Sequence, residues 1–134
     1  SELKNILKIP EIPEGRTPIY HLYVIRTENR KGLMKHLKEK DIGHLIHYPI
    51  PLHLQEAFSY RGYKKGDFPN AEKFAGEILS LPMFPELKKD EVRYVSNAIK
   101  EFYLKIWGFF LIKSDALNKL SLVPASDQKP FTKA

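Results

Sequence analysis

The first strongly patterned stretch, Ile19-Tyr20-His21-Leu22-Tyr23-Val24-Ile25-Arg26, is dense in β-branched and aromatic residues and predicts a strand. Thr27-Glu28-Asn29 then supplies capping side chains for a helix from about Arg30 to Lys40. On that helix Leu33, Met34 and Leu37 share one face, while Lys31, Lys35, Lys38 and Glu39 share the other. After Gly43, His44-Leu45-Ile46-His47-Tyr48 predicts a short second strand, ended by Pro49 and Pro51. A brief helix is expected over His53–Phe58, then a loop marked by Gly62 and Gly66. From Phe68-Pro69 a helix is expected, with Ala71, Phe74, Ala75, Ile78 and Leu79 at i, i+3, i+4, i+7 and i+8. Leu81-Pro82-Met83 predicts an edge strand, since Pro removes a ladder donor.

The ends of the chain are less regular. Leu3, Ile6, Leu7 and Ile9 alternate with charges before Pro10, Pro13 and Gly15, which fits a helix end or an extended lead-in. A last helix is expected over Asp90–Phe102, with Val92, Val95, Ile99 and Phe102 along one stripe. Ile106 to Ile112 is apolar on all sides, and reads equally as a buried strand or a helix extension. Residues 113–134 turn polar, and Gln128 to Ala134 is expected to be a mobile tail. The coarse order is strand, helix, strand, helix, short strand, helix. That order implies an α+β fold, a short antiparallel sheet with helices packed on one face.

Composition narrows the class. The 134 residues carry 22 Lys+Arg and 16 Asp+Glu, a net charge of +6, and no cysteine. A disulfide framework, a thiolate zinc site and a cysteine nucleophile are thereby excluded, and a cytoplasmic protein is expected. No apolar run approaches the ~20 residues of a membrane span. The first residues lack a signal-peptide pattern, and a start at Ser1 rather than Met is expected of a trimmed or excised piece. Residues 1–112 hold 18 basic and 14 acidic groups with their signs interspersed, which describes a solvated surface and argues against a nucleic-acid partner.

Candidate chemistry is sparse on residue types alone. His44 and His47 would point to opposite faces of a strand, and His47 and His53 converge only through the Pro49–Pro51 turn. No metal set and no Gly-x-Ser-x-Gly elbow or glycine-rich phosphate loop occurs. The carboxylate pairs Glu72/Glu77 and Asp90/Glu91 fall on hydrophilic helix faces and read as solvated. Tyr20, Tyr23, Tyr48 and Tyr60 are candidates to line a pocket.

Longer blocks say more. His21-Leu22-Tyr23-Val24-Ile25-Arg26 runs through Arg30 to His47-Tyr48-Pro49-Ile50-Pro51-Leu52-His53-Leu54-Gln55. It is followed by Gly62-Tyr63-Lys64-Lys65-Gly66-Asp67-Phe68-Pro69-Asn70-Ala71-Glu72, and then by Leu79-Ser80-Leu81-Pro82-Met83-Phe84-Pro85-Glu86-Leu87. Over roughly residues 3–102 the chain resembles the carboxyl-terminal part of the DegT/DnrJ/StrS aminotransferases, which act on nucleotide-linked keto-sugars. The resemblance implies a small domain like that of fold-type I pyridoxal-phosphate transferases, spanning residues 1–112, with 113–134 as a tail. It implies that His47 and Tyr48 lie near a sugar nucleotide, with Pro49, Pro51 and His53 shaping the pocket.

The family's Schiff-base lysine and cofactor-binding segments have no counterpart here, although the chain has 17 lysines. The resemblance therefore implies no cofactor in this chain, pyridoxal phosphate in the full-length enzyme, and no turnover by the chain alone. Implied partners are a second copy, or a full-length or large-domain aminotransferase. A free-standing sugar-nucleotide-binding or subunit-docking module is the alternative. Two positions depart from the family pattern. Asp41 stands where glycine is expected before Ile42. Lys88 stands where Thr would open a capping box with Glu91, so Asp90 or another residue is expected to cap that helix. From about Lys105 onward no family counterpart is found.

Overall fold

A computed structural model describes residues 3, 4 and 6–120. The chain divides into two compact units, Ser1–Phe102 and Tyr103–Ala134. In the first unit, strand β1 (Tyr23–Arg26) leads into helix α1 (Arg30–Glu39). Two short 3-10 turns follow, Leu52–Leu54 and Glu56–Arg61, then helix α2 (Pro69–Glu77) and strand β2 (Ile78–Leu81). Helix α3 (Lys89–Leu120) begins in this unit and supplies the described part of the second. The expected Gln128–Ala134 tail lies outside the described residues.

The architecture is α+β with a two-stranded antiparallel sheet. Tyr23 pairs with Leu81, Val24 with Ser80, Ile25 with Leu79 and Arg26 with Ile78. Side chains alternate across a strand, so Tyr23, Ile25, Leu79 and Leu81 share one face. Ile25 and Leu79 are fully buried there, as are Leu33 and Leu37 of α1 and Ile99 of α3. Each such side chain contributes about 1.5–3 kcal/mol by leaving water. Beside this core Tyr23 and Leu81 meet Val92, Val95 and Ser96 around a cavity of about 160 Å³. On the opposite face Arg26 is held by Phe74 and Glu77 from the end of α2.

Several expectations need correction. The first strand is shorter than Ile19–Arg26, because Tyr20 turns left-handed (φ 49°) and Ile19 is 93% exposed without a strand partner. His44–Tyr48 is no strand. Only Leu45 pairs, through a single bridge to Ser80, and Pro49 stops any extension. The segment expected as a helix over His53–Phe58 is a pair of 3-10 turns.

Helix α2 ends at Glu77, so Ile78 and Leu79 belong to β2, and the strand runs Ile78–Leu81 rather than Leu81–Met83. Long-range capping permits this abrupt change. The Arg30 guanidinium donates to the carbonyls of Ala75 and Ile78, and the Thr27 N–H donates to Glu77 O at 3.0 Å. These donors satisfy carbonyls that a helix end leaves open. Ile106–Ile112 resolves as helix, not strand. At the opening, Leu3 O accepts the N–H groups of Ile6 and Leu7 ahead of a bridge between Lys8 and Arg26.

Both departures from the family pattern have a local solution. After α1 the Ile42 N–H bonds Leu37 O (2.9 Å) and the Asp41 N–H bonds Lys38 O (3.1 Å), with Asp41 left-handed at φ 56°. This is a Schellman closure, in which buried Ile42 and Leu37 supply the accompanying apolar pair. At the start of α3 the cap is Glu91, not Asp90. Its carboxylate accepts the Lys88 N–H at 2.7 Å, so half of the capping box survives.

Candidate functional site

Between α1 and α2 the chain runs over the surface as a long connection whose backbone is tied to the sheet at one residue. Leu45 and Ser80 exchange both backbone hydrogen bonds, Ser80 N–H to Leu45 O at 2.8 Å and Leu45 N–H to Ser80 O at 3.2 Å. Two residues on, His47 Nδ1 lies 2.9 Å from Ser80 Oγ. The peptide between His47 and Tyr48 is cis. The Tyr48 ring stands edge-on to His47, 5.7 Å between centroids and 86° between planes, and 71% of Tyr48 is exposed. One histidine is thus anchored inward, and the phenol beside it faces solvent.

The proline turn is closed by its own hydrogen bonds. The Leu54 N–H bonds Pro51 O at 2.9 Å, and the Gln55 amide donates to Ile50 O at 3.1 Å. Pro51 sits in an extended conformation (φ −57°, ψ 144°) that its ring favours. Pro49 and Pro51 therefore set the course of the turn that carries Tyr48.

His53 forms a second anchor. Its Nε2 donates to Glu72 Oε1 at 3.1 Å, with the two side chains only 8% and 17% exposed. The same carboxylate oxygen accepts the Gly66 N–H at 2.7 Å. Phe68 covers the imidazole at 4.8 Å between centroids, and Tyr63 packs edge-on against Phe68 at 5.1 Å. The Gly66 N–H and then the His53 hydrogen bond hold the Glu72 carboxyl below the usual range, against an opposing push from burial.

The structure brings His47 and Tyr48 together, and Pro49 and Pro51 shape their turn. His53 is bonded to a different partner from His47. Glu72 and Glu77 do not form a solvated pair, since Glu72 bonds His53 and Gly66 while Glu77 bonds Arg26. Ser80 is an anchor that the sequence did not single out, and Glu72 is one that it read only as half of a solvated carboxylate pair. The signal for Ser80 was a lone hydroxyl inside the apolar run Ile78-Leu79-Ser80-Leu81. For Glu72 there was none, because its partners lie 19 and 6 residues away. Among the described residues no three His, Asp or Glu side chains converge as metal ligands, and no helix is long and apolar enough to cross a membrane.

Comparison with known proteins gives the family of the segment that carries these residues. The model of the DegT/DnrJ/EryC1/StrS aminotransferase family matches residues 1–100. A pleiotropic regulatory protein of Geobacillus stearothermophilus is 48% identical over 99 residues, covering 74% of this chain and 27% of that protein. The dTDP-3-amino-3,4,6-trideoxy-alpha-D-glucose transaminase of Streptomyces venezuelae is 37% identical over 94 residues, 70% of this chain and 25% of that one. Among solved structures, S. venezuelae DesV in complex with a ketimine intermediate superimposes with a TM-score of 0.69 at 36% identity, covering 72% of this chain and 26% of the other. A DegT DnrJ EryC1 StrS aminotransferase from Brucella abortus gives a TM-score of 0.69 at 37% identity, with 75% and 27% covered. The chain spans about a quarter of the length of the curated relatives it matches.

Proposed function

The chain belongs to the DegT/DnrJ/EryC1/StrS aminotransferase family, and on that premise we propose that it is the carboxyl-terminal small-domain portion of a pyridoxal-phosphate-dependent sugar-nucleotide aminotransferase. Its contribution is a substrate-facing turn, in which His47 and Tyr48 meet the sugar nucleotide and Pro49 and Pro51 hold the turn's shape. The observation that carries this reading is the anchored His47 beside an exposed Tyr48, within the segment that matches the family. An imidazole and a phenol suit diphosphate oxygens and sugar hydroxyls, which need directed hydrogen-bond partners. Relatives named as aminotransferases of dTDP- and UDP-linked sugars support a nucleotide-sugar ligand, and a Bacillus subtilis relative named as a spore coat polysaccharide biosynthesis protein supports a place in surface-polysaccharide synthesis.

The described lysines up to Lys105 do not fit an anchor for pyridoxal phosphate. A lysine that forms a Schiff base is activated by desolvation or a cationic neighbour, which lowers its pKa. None of the described lysines up to Lys105 is buried, and the hydrogen bond from Lys40 to Glu101 pushes its amine upward instead. The proposed role is therefore binding without turnover, with the cofactor held by the remainder of the family enzyme. That remainder is also the proposed partner of the exposed turn.

Binding is tested by NMR titration of the chain with dTDP-glucose. Small shift changes are expected at Ile46–His53 and absent in His47→Ala. Losing the other hydrogen bonds of a whole site leaves affinity no tighter than about millimolar, since each ~1.4 kcal/mol is tenfold. Micromolar binding, or shifts remote from this turn, would show the site assignment to be wrong. Mixing with pyridoxal phosphate followed by borohydride reduction tests the cofactor statement. A stable adduct mapped to one lysine would overturn it.

A further inference from the structure

From the two-sided contact of Ser80 with the site segment, we infer that Ser80 is a positioning residue that fixes both the orientation and the tautomer of His47. The inference rests on the reading that His47 meets the sugar nucleotide. Ser80 lies inside β2, paired with Val24 on one side and bridged to Leu45 on the other. It holds the Leu45–Tyr48 segment at three points, two through its backbone and one through Oγ to His47 Nδ1 at 2.9 Å. The partners are 33 residues apart in sequence, so only the folded sheet brings them together.

The direction of the Oγ–Nδ1 bond follows from hydrogen counting. Ser80 is 4% exposed, and among the described residues its hydroxyl has no partner other than His47. If Nδ1–H donated to Oγ, the hydroxyl hydrogen would be buried without an acceptor, a loss of about 1–3 kcal/mol. With the hydroxyl donating to Nδ1, only a lone pair goes unused. The ring hydrogen then sits on Nε2. His47 has no hydrogen-bond partner at Nε2 among the described residues, so this N–H is available to a ligand. A donor in that place suits a diphosphate or hydroxyl oxygen. Tyr48, packed edge-on against the same ring, restrains its rotation.

The tautomer is read directly from the imidazole nitrogen shifts of the full chain in long-range proton–nitrogen NMR, without ligand. In the wild type the hydrogen is expected on Nε2. Ser80→Ala is expected to give averaged nitrogen shifts for both tautomers, and Ser80→Thr, which keeps a hydroxyl, to restore the wild-type pattern. The amide shifts of Ile25 and Leu79 report whether each variant keeps its core. Ser80→Ala is also expected to weaken dTDP-glucose binding roughly fivefold, the equivalent of one ordinary hydrogen bond.

A wild-type ring with its hydrogen on Nδ1 overturns the positioning role even if Ser80→Ala fails to fold. So does a folded Ser80→Ala that keeps the wild-type nitrogen pattern. An Nε2-protonated wild-type ring that dTDP-glucose leaves unmoved supports the tautomer assignment, and overturns the binding role of His47 instead.

Discussion

Arg26 grips Glu77 with two nitrogens, Nη2 at 2.7 Å and Nε at 3.1 Å from the same carboxylate oxygen, while its guanidinium lies 3.8 Å over the Phe74 ring. One side chain from β1 thus clamps the last turn of α2, next to the point where that helix becomes β2. The Arg26 hydrogen bond holds the Glu77 carboxyl below its ordinary value of 4.5, against an opposing push from burial. Glu72 is held low as well, chiefly by Gly66 and then by His53.

Acid should therefore loosen α2 at both ends. A carboxyl whose folded pKa is lowered binds its proton less readily in the folded state than in the unfolded one. The stability from Glu72 and Glu77 is then fully present above about 4.5 and is lost as pH falls through their lowered folded values. Urea midpoints measured from pH 6 to pH 3 should fall, and Glu77→Gln should flatten that fall while lowering the midpoint at neutral pH. An unchanged acid slope in Glu77→Gln would show that the Arg26 clamp carries no pH-dependent stability.

Helix α1 and the core part of β1 were legible because their signals are local: Leu33 and Leu37 share a face, Asn29 accepts the Gly32 N–H, and Val24-Ile25 are β-branched. The α2–β2 junction was not. Ile78 and Leu79 satisfy the period of a helix and of a strand equally well, and the deciding donors, Arg30 and Thr27, are remote in sequence. Leu45 was expected inside a strand, yet only its own backbone meets Ser80. Within the site, His47, Tyr48 and the two prolines came from family blocks rather than from spacing. Ser80 and Glu72 act through tertiary contacts that no short window contains.

Asp41→Gly should stabilise the protein. Asp41 occupies the left-handed position of the Schellman closure, where a Cβ is unfavourable and glycine is the usual occupant. Relief of that strain is partly offset by the greater freedom of glycine in the unfolded chain, leaving a gain of about 0.5 kcal/mol. The urea midpoint should rise with an unchanged slope, whereas Asp41→Val should lower it. A lower midpoint for the glycine variant would show that the Asp41 side chain supports the turn in another way.

Lys88→Thr should also stabilise, by completing the box that Glu91 already half forms. The Thr hydroxyl would accept the Glu91 N–H, while Glu91 keeps its bond to the backbone nitrogen of residue 88. A helix N-cap of this kind contributes about 1 kcal/mol. The gain should shrink when Glu91→Ala is combined with Lys88→Thr, because the two halves support each other. Additive effects in that double-mutant cycle would mean that the hydroxyl caps independently of Glu91.

The surface of the long connection carries the last expectation. Leu45, Tyr48, Ile50, Leu52 and Tyr60 are all exposed, Leu52 to 67%, within sixteen residues of chain. Scattered exposed apolar residues are ordinary, but a run of this density on one connection resembles a face made to be covered. When the remainder of the proposed enzyme is absent, a second copy of the chain is the available cover. Sedimentation velocity across a concentration series should therefore show association that increases toward millimolar protein. Leu52→Asp removes apolar surface at a largely exposed position, so it should shift the series toward monomer while leaving the unfolding free energy within about 0.5 kcal/mol of the parent. A strictly monomeric parent chain at millimolar concentration would mean that this surface does not drive self-association.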